Sequence, residues 1–460
     1  MAELCIRAHR VLLPDGIRPA SVHIDGGVVR AVGGYDEVGE PARLVSLEAE
    51  ELLSPGVVDT HVHINEPGRT EWEGFASATA AAAAGGITTV VDMPLNCVPA
   101  TTSRAAAEAK LAALDGKLHV DVAFWGGVVP GNAAELAGLA DFGVAGAKCF
   151  LCPSGVDEFP HVGRADLELA MPRMRDLGLT LLVHAELPAP LAAAEAELAR
   201  EHADPRRYQT YLRSRPNAAE DEAIAMIIGL VRKHRCAAHI VHLSSASALP
   251  LLRAARDEGL PVTAETCLHY LTFAAEEIDD GATAFKCAPP IRERANREAL
   301  WEALADDTLT MVVSDHSPCT PALKRAESGD FLAAWGGISG LQLGLSALYT
   351  GAAARGHDLR RIAAWNTENT ARLAGLAERK GRIAPGFDAD LVAWDDSAEH
   401  VVHASALRHR HPVTPWVGRT LQGVVRMTWL RGQEVFDARS GDAQRVAHPS
   451  PRGRLLRVAR

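Results

Sequence analysis

An alternation of short apolar runs with alanine-rich amphipathic stretches dominates the middle of this 460-residue chain. Eight runs between residues 55 and 376 have the apolar, β-branched character of buried strands. These runs occupy 56–63, 87–93, 118–125, 144–150, 179–185, 237–243, 261–267 and 309–315. Most intervals contain a stretch with helical character, at 72–84, 102–114, 164–177, 218–234, 246–258 and 294–305.

Strands that alternate with helices predict a parallel α/β architecture with right-handed crossovers. Eight such units favour a closed (β/α)8 barrel, the TIM barrel, over an open doubly wound sheet. Strand-like patterns with glycine-containing turns occupy both ends of the chain, and we expect them to form one small β-sandwich. The predicted units are residues 1–54 and 377–440 for the sandwich, 55–376 for the catalytic barrel, and 441–460 for a basic, solvated tail.

Composition limits the partners that this chain is expected to bind. The 47 basic and 58 acidic residues give a net charge of −11, which argues against nucleic acid or an anionic membrane as the main partner. No apolar run approaches the roughly 20 residues of a membrane helix, and the first residues do not have the pattern of a secretion signal. The eight cysteines are then expected to be reduced thiols, and the protein to be a cytoplasmic enzyme.

Potential metal ligands lie at the ends of five of the eight predicted strands. The first strand ends in a His-x-His pattern, whose two imidazoles point to the same face, although two surface histidines would give the same pattern. In a TIM barrel the carboxyl ends of the strands carry the active site, so all these side chains are expected to converge there. The candidate ligands are His61, His63, Lys148, His184, His242 and Asp315.

Lys148 stands out because a charged ammonium inside a barrel is strongly disfavoured. Burial favours the neutral amine, which can react with carbon dioxide to form a carbamate that bridges two divalent ions. A lysine that reaches the rim or pairs with an acid is the alternative. Such a centre would supply hydroxide at neutral pH, and Asp315 could transfer its proton to a leaving nitrogen. The pattern therefore indicates metal-assisted hydrolysis of an amide-like bond.

Several ordered motifs resemble those of the cyclic amidohydrolases, the family of dihydroorotases, dihydropyrimidinases (hydantoinases) and allantoinases. They are HVHINEPG, AGGITTVVDMPLN, HLSSA, ETCLHYL, KCAPPIR and SDHSPC, and the resemblance extends over roughly residues 50–435. One motif departs from the family pattern, because Leu268 replaces the usual proline. The resemblance implies a TIM barrel with a flanking β-sandwich, a homotetramer, and two divalent ions with a carboxylated lysine.

The resemblance also implies a role for each ligand. The two histidines after the first strand bind one ion, and the histidines after the fifth and sixth strands bind the other. Lys148, as N6-carboxylysine, bridges both ions. Asp315 binds the first ion and carries the proton, while a metal-bridging hydroxide attacks the substrate. Zinc is the usual metal of the family, and cobalt, manganese or nickel also suit these ligands.

Within the family, the segments at 148–162 and 411–425 look most like those of allantoinases. Lys148 is not followed by the tyrosine of dihydropyrimidinases, and Asn65 stands where dihydroorotases carry an arginine for the substrate carboxylate. Both absences favour a neutral cyclic ureide as substrate, namely allantoin, opened to allantoate. The alternatives are a dihydropyrimidinase or hydantoinase and, from a different class, an inactive scaffold paralogue.

Six further positions near the expected barrel mouth are candidates for binding the substrate ring. Side chains and backbone groups both qualify, because a hydantoin ring offers alternating donors and acceptors. For the asparagine among them, turn chemistry is an equally good explanation. The candidates are Asn96, Ser154, Cys287, Ser317, Ser339 and Gly340.

Overall fold

The protein is described here by a computed structural model that covers residues 2–440 and 451–459. The first part of the chain forms strands β1 (Leu4–Leu13), β2 (Gly16–Asp25), β3 (Val28–Gly33), β4 (Arg43–Ser46) and β5 (Glu51–Pro55). The middle part contributes β6 (Val57–Val62), β7 (Ile87–Asp92), β8 (Asp121–Phe124), β9 (Gly126–Gly127), β10 (Ala147–Phe150), β11 (Leu181–His184), β12 (Ala238–Ile240), β13 (Val262–Cys267) and β14 (Met311–Val313). The last strands are β15 (Leu391–Val401), β16 (Thr420–Leu430) and β17 (Gln433–Asp437).

Helices fill most of the intervals between the central strands. They are α1 (Phe75–Ala84), α2 (Arg104–Ala112), α3 (Leu136–Phe142), α4 (Arg164–Asp176), α5 (Pro188–Arg200), α6 (Tyr208–Ser214), α7 (Asn217–His234), α8 (Leu249–Asp257), α9 (Leu268–Thr272), α10 (Arg294–Ala305), α11 (Gly344–Ala353), α12 (Leu359–Ala363) and α13 (Asn369–Leu373). No helix in the described part of the chain is both long enough and apolar enough to cross a membrane.

Local sequence explains where several helices begin and end. The alanine-rich segment of α1 has high intrinsic helix propensity. The hydroxyl of Ser103 accepts a hydrogen bond from the Ala106 amide at 3.2 Å and so caps the start of α2. Helix α3 ends at Gly143, whose φ of 94° is accessible to glycine at little cost. The predicted helices correspond to α1, α2, α4, α7, α8 and α10. The other helices were not among the predicted stretches, and the longest of them is α5.

The central strands are parallel and follow one another in chain order. Strands β6, β7 and β8 form one hydrogen-bonded sheet, and β9 to β14 form a second. The two sheets adjoin where the Ala145 amide donates to the Phe124 carbonyl at 2.8 Å. At the other end, the His63 amide donates to the His316 carbonyl at 2.8 Å, which links β6 to the segment after β14. All eight apolar runs therefore contain parallel strands of an α/β protein.

Strands from both ends of the chain share one further sheet. Its order is β17-β16-β15-β5-β1-β2-β3, with β4 also paired to β1. The junction is the antiparallel pair β5–β15, in which Leu53 lies opposite Ala393. Strand β15 ends at Val401, and a 3-10 turn follows at Ala404–Ala406.

The end of the chain differs from the expected solvated tail. Residues 441–450 lie outside the described part, but 451–459 run beside β8. The Val122 amide donates to Arg454 O at 3.0 Å, and the Leu456 amide donates to Val122 O at 2.7 Å. Leu456 is buried in an apolar cluster that also contains Val58 and Leu182. This segment is therefore packed against the central strands.

Replacing Leu456 with Ala tests this packing. The side chain is 4% exposed, so its truncation leaves a cavity, and we expect the free energy of unfolding to fall by about 2–4 kcal/mol. Urea denaturation followed by circular dichroism measures the change. Ala459→Ser, at an exposed position of the same segment, is the control and should change stability by less than about 0.5 kcal/mol. Equal stability of the two variants would contradict the packing.

Candidate metal centre

The six predicted ligands all lie at the carboxyl ends of parallel strands. His61 and Lys148 belong to β6 and β10, and His184 is the last residue of β11. His63 follows β6 directly, and His242 and Asp315 lie two residues beyond β12 and β14, where parallel strands direct their side chains into a common space. None of the six is more than 6% exposed: His61, His63, Lys148, His184, His242 and Asp315.

Three of these side chains form one compact group. One potential ligand atom from each of His61, His63 and Asp315 lies within 4.8 Å of the others. Asp315 Oδ1 is 3.3 Å from His61 Nε2 and 3.6 Å from His63 Nε2. Lys148 Nζ approaches the same group and lies 3.1 Å from His61 Nε2. These atoms face a single point that one ion could occupy.

The other two histidines form a neighbouring group. His184 Nδ1 lies 2.9 Å from His242 Nε2, which is close enough for both nitrogens to face one ion. The rings of His61 and His242 have centroids 5.4 Å apart, so the two groups adjoin. The structure thus brings all six predicted ligands into one site with two adjacent centres.

Buried carboxylates orient the histidines, and sequence analysis did not identify them. Glu265 Oε1 lies 2.5 Å from His61 Nδ1, and Glu186 Oε2 lies 2.7 Å from His184 Nε2. The other nitrogen of each ring, Nε2 of His61 and Nδ1 of His184, faces the site. Such partners fix the tautomer of a metal-binding histidine. The only sequence signal was that Glu186 follows a predicted ligand by two positions and that Glu265 lies in a strand.

Burial determines the charge state of the site. It lowers the pKa of Lys148 to about 8, although the carboxylates of Asp315 and Glu265 act in the opposite direction. It also raises the pKa of Asp315 to about 7, against the opposing effect of Lys148. Burial and the charge of Lys148 hold the pKa values of His61 and His63 well below the ordinary value. Neutral imidazoles are the form that binds metal ions.

The donor set therefore fits divalent transition metals. Imidazole nitrogens and a carboxylate are the ligands that zinc and its neighbours prefer. His242 faces His184 through Nε2, so its metal-binding nitrogen is directed into the site.

Unusual backbone geometry accompanies the site. Four non-glycine residues around it have positive φ, which side chains with a Cβ rarely adopt. The angles are 66° for Asn65, 66° for Asn96, 40° for His242 and 42° for Asp315. Strained backbone of this kind persists where the surrounding structure enforces it, and it is common at functional sites.

A cavity of about 950 Å³ opens onto the predicted ligands. Three predicted substrate-binding residues line it: Asn96, Ser154 and Ser317. Asn96 has a buried Oδ1 without a hydrogen-bond partner among the described residues. Ser154 donates to the Phe159 carbonyl at 2.6 Å, and Ser317 donates to Asp315 Oδ1 at 2.8 Å. Asn96 is therefore the freest of the three to bind a ligand.

The other three candidates lie beside the cavity and have other partners. The Cys287 carbonyl accepts a hydrogen bond from the Tyr211 hydroxyl at 2.5 Å. The Ser339 carbonyl accepts one from Thr414, and the Gly340 amide donates to His316 Nδ1 at 3.3 Å. Cys287, Ser339 and Gly340 stay predictions.

Imidazole, amine and carboxylate groups that converge at the carboxyl ends of parallel strands, beside a cavity, are the arrangement of a metal-dependent hydrolase. The sequence profile of the Amidohydrolase family matches residues 52–435. The chain belongs to this family, as its motifs predicted, and is a hydrolase. Family membership implies a divalent metal centre.

Relatives of known name match almost the whole chain. An allantoinase from Streptomyces avermitilis is 50% identical over 99% of this chain and 98% of its own length. An allantoinase from Saccharomyces cerevisiae is 43% identical over 95% of this chain and 96% of its own. Among solved structures, an L-hydantoinase (dihydropyrimidinase) from Arthrobacter aurescens superimposes with a TM-score of 0.92 at 28% identity, covering 99% of this chain and all of that one.

Removal of the metal should lower thermal stability. Ions that bind only the folded chain stabilise it, because the unfolded chain does not hold the ligands together. We expect exhaustive chelation to lower the melting temperature by about 5 °C, with recovery on addition of zinc. Scanning fluorimetry with elemental analysis measures both quantities, and calcium, which prefers oxygen ligands, is the control. An unchanged melting temperature of protein verified to be metal-free would contradict the expectation.

Proposed function

We propose that this protein hydrolyses the cyclic amide bond of allantoin and releases allantoate. The observation that carries the choice of substrate is the 50% identity to an allantoinase over 99% of the chain. The geometry supports the same reaction class, since buried imidazole and carboxylate groups converge beside a cavity of about 950 Å³. The six complete ligand positions argue against an inactive scaffold.

The proposed centre contains two divalent ions. His61, His63 and Asp315 would hold one, and His184 and His242 the other, as the two groups of nitrogen and oxygen atoms suggest. Zinc fits these ligands best, and cobalt, manganese or nickel are the alternatives. When bound, such ions polarise a carbonyl oxygen and lower the pKa of water to about 7.

Lys148 is proposed to bridge the ions as N6-carboxylysine. The neutral amine would attack the carbon of carbon dioxide, so that an N–C bond forms as one C–O π bond breaks. The nitrogen would then release one proton to water in the cavity, which leaves an anionic carbamate. The Lys148 side chain is 1% exposed, and this burial disfavours the ammonium form. The carbamate would place an anion where the ammonium would have placed a cation. The 3.1 Å distance from Lys148 Nζ to His61 Nε2 places the amine beside the proposed centre.

Other side chains would position the reactants and move the proton. Asp315 accepts a hydrogen bond from Ser317 at Oδ1, which holds its carboxylate in place. The carboxylate would take the proton lost by the attacking water and donate it to the ring nitrogen as the C–N bond breaks. Asn96, with its unpartnered Oδ1, would accept a hydrogen bond from an N–H group of the ureide ring.

The finer description of the fold belongs to the same proposal. We propose that the central strands close into a (β/α)8 barrel, supported by the bridge between Val62 and His316. The shared sheet of the two chain ends would be the β-sandwich, with units at 1–54, 55–376 and 377–440. The solvated tail stays a prediction only for residues 441–450, which lie outside the described residues, and the homotetramer and the cytoplasmic location also stay predictions.

A dihydropyrimidinase or hydantoinase activity is the second candidate. The specific observation in its favour is the TM-score of 0.92 to the L-hydantoinase structure. One feature argues against it. Dihydropyrimidinases commonly carry a tyrosine soon after the bridging lysine, whereas here Phe150 and Cys152 follow Lys148 and line the cavity. The lower identity of 28% to that protein also favours allantoin.

A comparison of substrates distinguishes the two candidates. The zinc-loaded enzyme should hydrolyse allantoin with a kcat/KM at least about 100-fold above that for dihydrouracil or unsubstituted hydantoin, a difference of about 2.7 kcal/mol. Product formation is followed by chromatography, with Asp315→Asn as the control for background hydrolysis. A higher kcat/KM for dihydrouracil or hydantoin would reject allantoin as the substrate.

Replacement of Lys148 tests the bridging role. Lys148→Ala should bind less than two ions per chain and lose at least about 100-fold in activity. Acetate or propionate should restore part of both, because a small carboxylate can occupy the position of the carbamate. Lys110→Ala is the matched control, since Lys110 is also wholly buried but pairs with Asp92 at 2.6 Å. Equal rescue of both variants, or full activity of Lys148→Ala, would contradict the role.

A further inference from the structure

The side chain of His184 is held between two different partners. Its Nδ1 faces His242 Nε2 at 2.9 Å, while its Nε2 lies 2.7 Å from Glu186 Oε2. A neutral imidazole has one N–H group and one lone pair, and an ionised carboxylate only accepts hydrogen bonds. The hydrogen is therefore on Nε2 and the lone pair is on Nδ1, in the direction of the proposed second ion.

This tautomer requires Glu186 to be ionised, although its carboxylate is buried and burial disfavours the charged form. Glu186 has no solvent exposure, so an unpaired carboxylate there would be strongly destabilising. Arg215 supplies the compensating charge: its Nε donates to Glu186 Oε1 at 3.0 Å, and its Nη2 donates to Oε2. A planar guanidinium that binds both carboxylate oxygens fixes orientation as well as charge.

The backbone explains why Arg215 is available at this point. It lies between α6 and α7, directly before Pro216, and its φ of −130° and ψ of 72° end helix α6. A residue before proline is disfavoured in helical geometry. Its guanidinium lines the same cavity as the metal ligands, with the side chain 22% exposed.

We propose that Glu186 and Arg215 are a positioning pair that directs the Nδ1 lone pair of His184 to the second metal ion. The inference rests on the proposed function, because it takes His184 and His242 as the ligands of that ion. Neither residue touches the reacting atoms. They act through the imidazole, whose orientation and tautomer they determine.

The first metal position has an equivalent arrangement with the opposite tautomer. Glu265 lies 2.5 Å from His61 Nδ1, which leaves His61 Nε2 to face Lys148 and the ion. Glu265 also accepts from the His242 amide at 3.3 Å. Each of the two adjacent centres thus has its own buried carboxylate, but only the one at the second centre is paired with an arginine on the cavity wall.

Glu186→Gln tests the pair because it keeps the shape and removes the charge. The amide can present its NH2 group to His184, which would favour the wrong tautomer. We expect the affinity for the second ion to fall about 10- to 100-fold, while the first ion binds as before. Titration in metal-buffered solution and the visible absorption of the cobalt-loaded protein measure the two sites separately from activity.

Asp121→Asn is the matched control for the loss of a buried charge. Asp121 has no exposure and pairs with Lys380 at 2.8 Å, at the amino end of β8 and outside the residues that line the cavity. This variant should lose stability and still bind two ions with unchanged affinity. If it lost the second ion to the same extent as Glu186→Gln, the effect would be general destabilisation and the inference would be overturned.

Arg215→Lys provides a second variant if Glu186→Gln does not fold. Lysine keeps the positive charge but cannot bind both carboxylate oxygens in a fixed plane, so we expect an intermediate loss of second-ion affinity. Wild-type affinity in a folded Glu186→Gln or Arg215→Lys variant would overturn the pair and leave the proposed function intact. A wild-type protein that binds a single ion would overturn the metal assignment, and the pair with it.

Discussion

The amine of Lys148, 1% exposed and 3.1 Å from His61 Nε2, imposes the strongest constraint on this structure. A cation at this depth, among imidazoles that also resist protonation, has little to stabilise it. Asp315 and Glu265 compensate only in part, since the pKa of the amine is still lowered to about 8. A site assembled in this way is suited to groups that bind metals, and poorly suited to an ordinary ion pair.

Buried carboxylates support this arrangement from outside the ligand set. Glu265 is hydrogen bonded to His61 and also lies 3.1 Å from His239 Nε2, so it links two strands of the site. Glu186, in the segment after β11, is hydrogen bonded to His184 in the same way. A histidine side chain has two χ angles, and such partners restrict both and give the ring a defined orientation. The site is therefore preorganised by groups that need not contact the ions.

The sequence was sufficient to locate the strands and to select six side chains that converge in one site, but not the carboxylates that contact them. Parallel strands are buried on both faces, so their apolar runs are visible without an alignment, and ligands at the strand ends can be assigned from position alone. The pairing of His61 with Glu265 joins residues 204 positions apart, and no local pattern signals it. Helix α5 was missed because its surface is mostly exposed and lacks a clear apolar face, with Leu198 as its buried residue.

The two ends of the parallel strands have different roles, and this difference explains the position of the final segment. At the amino end of β8, Asp121 is surrounded by Lys380, Arg431 and the amide of Arg454, which connect it to the shared sheet and to residues 451–459. These contacts join regions that are distant in the chain, and they leave the carboxyl ends of the strands uncovered.

Placing packing and ion pairs at the amino ends of the strands has a physical consequence for the opposite ends. The strained residues His242 and Asp315, with φ of 40° and 42°, lie at the carboxyl ends. The charge network around Asp121 and the buried Leu456 stabilise the fold at the amino end of β8 without placing further charges near the cavity. Stability and chemistry are thereby separated along the strand axis.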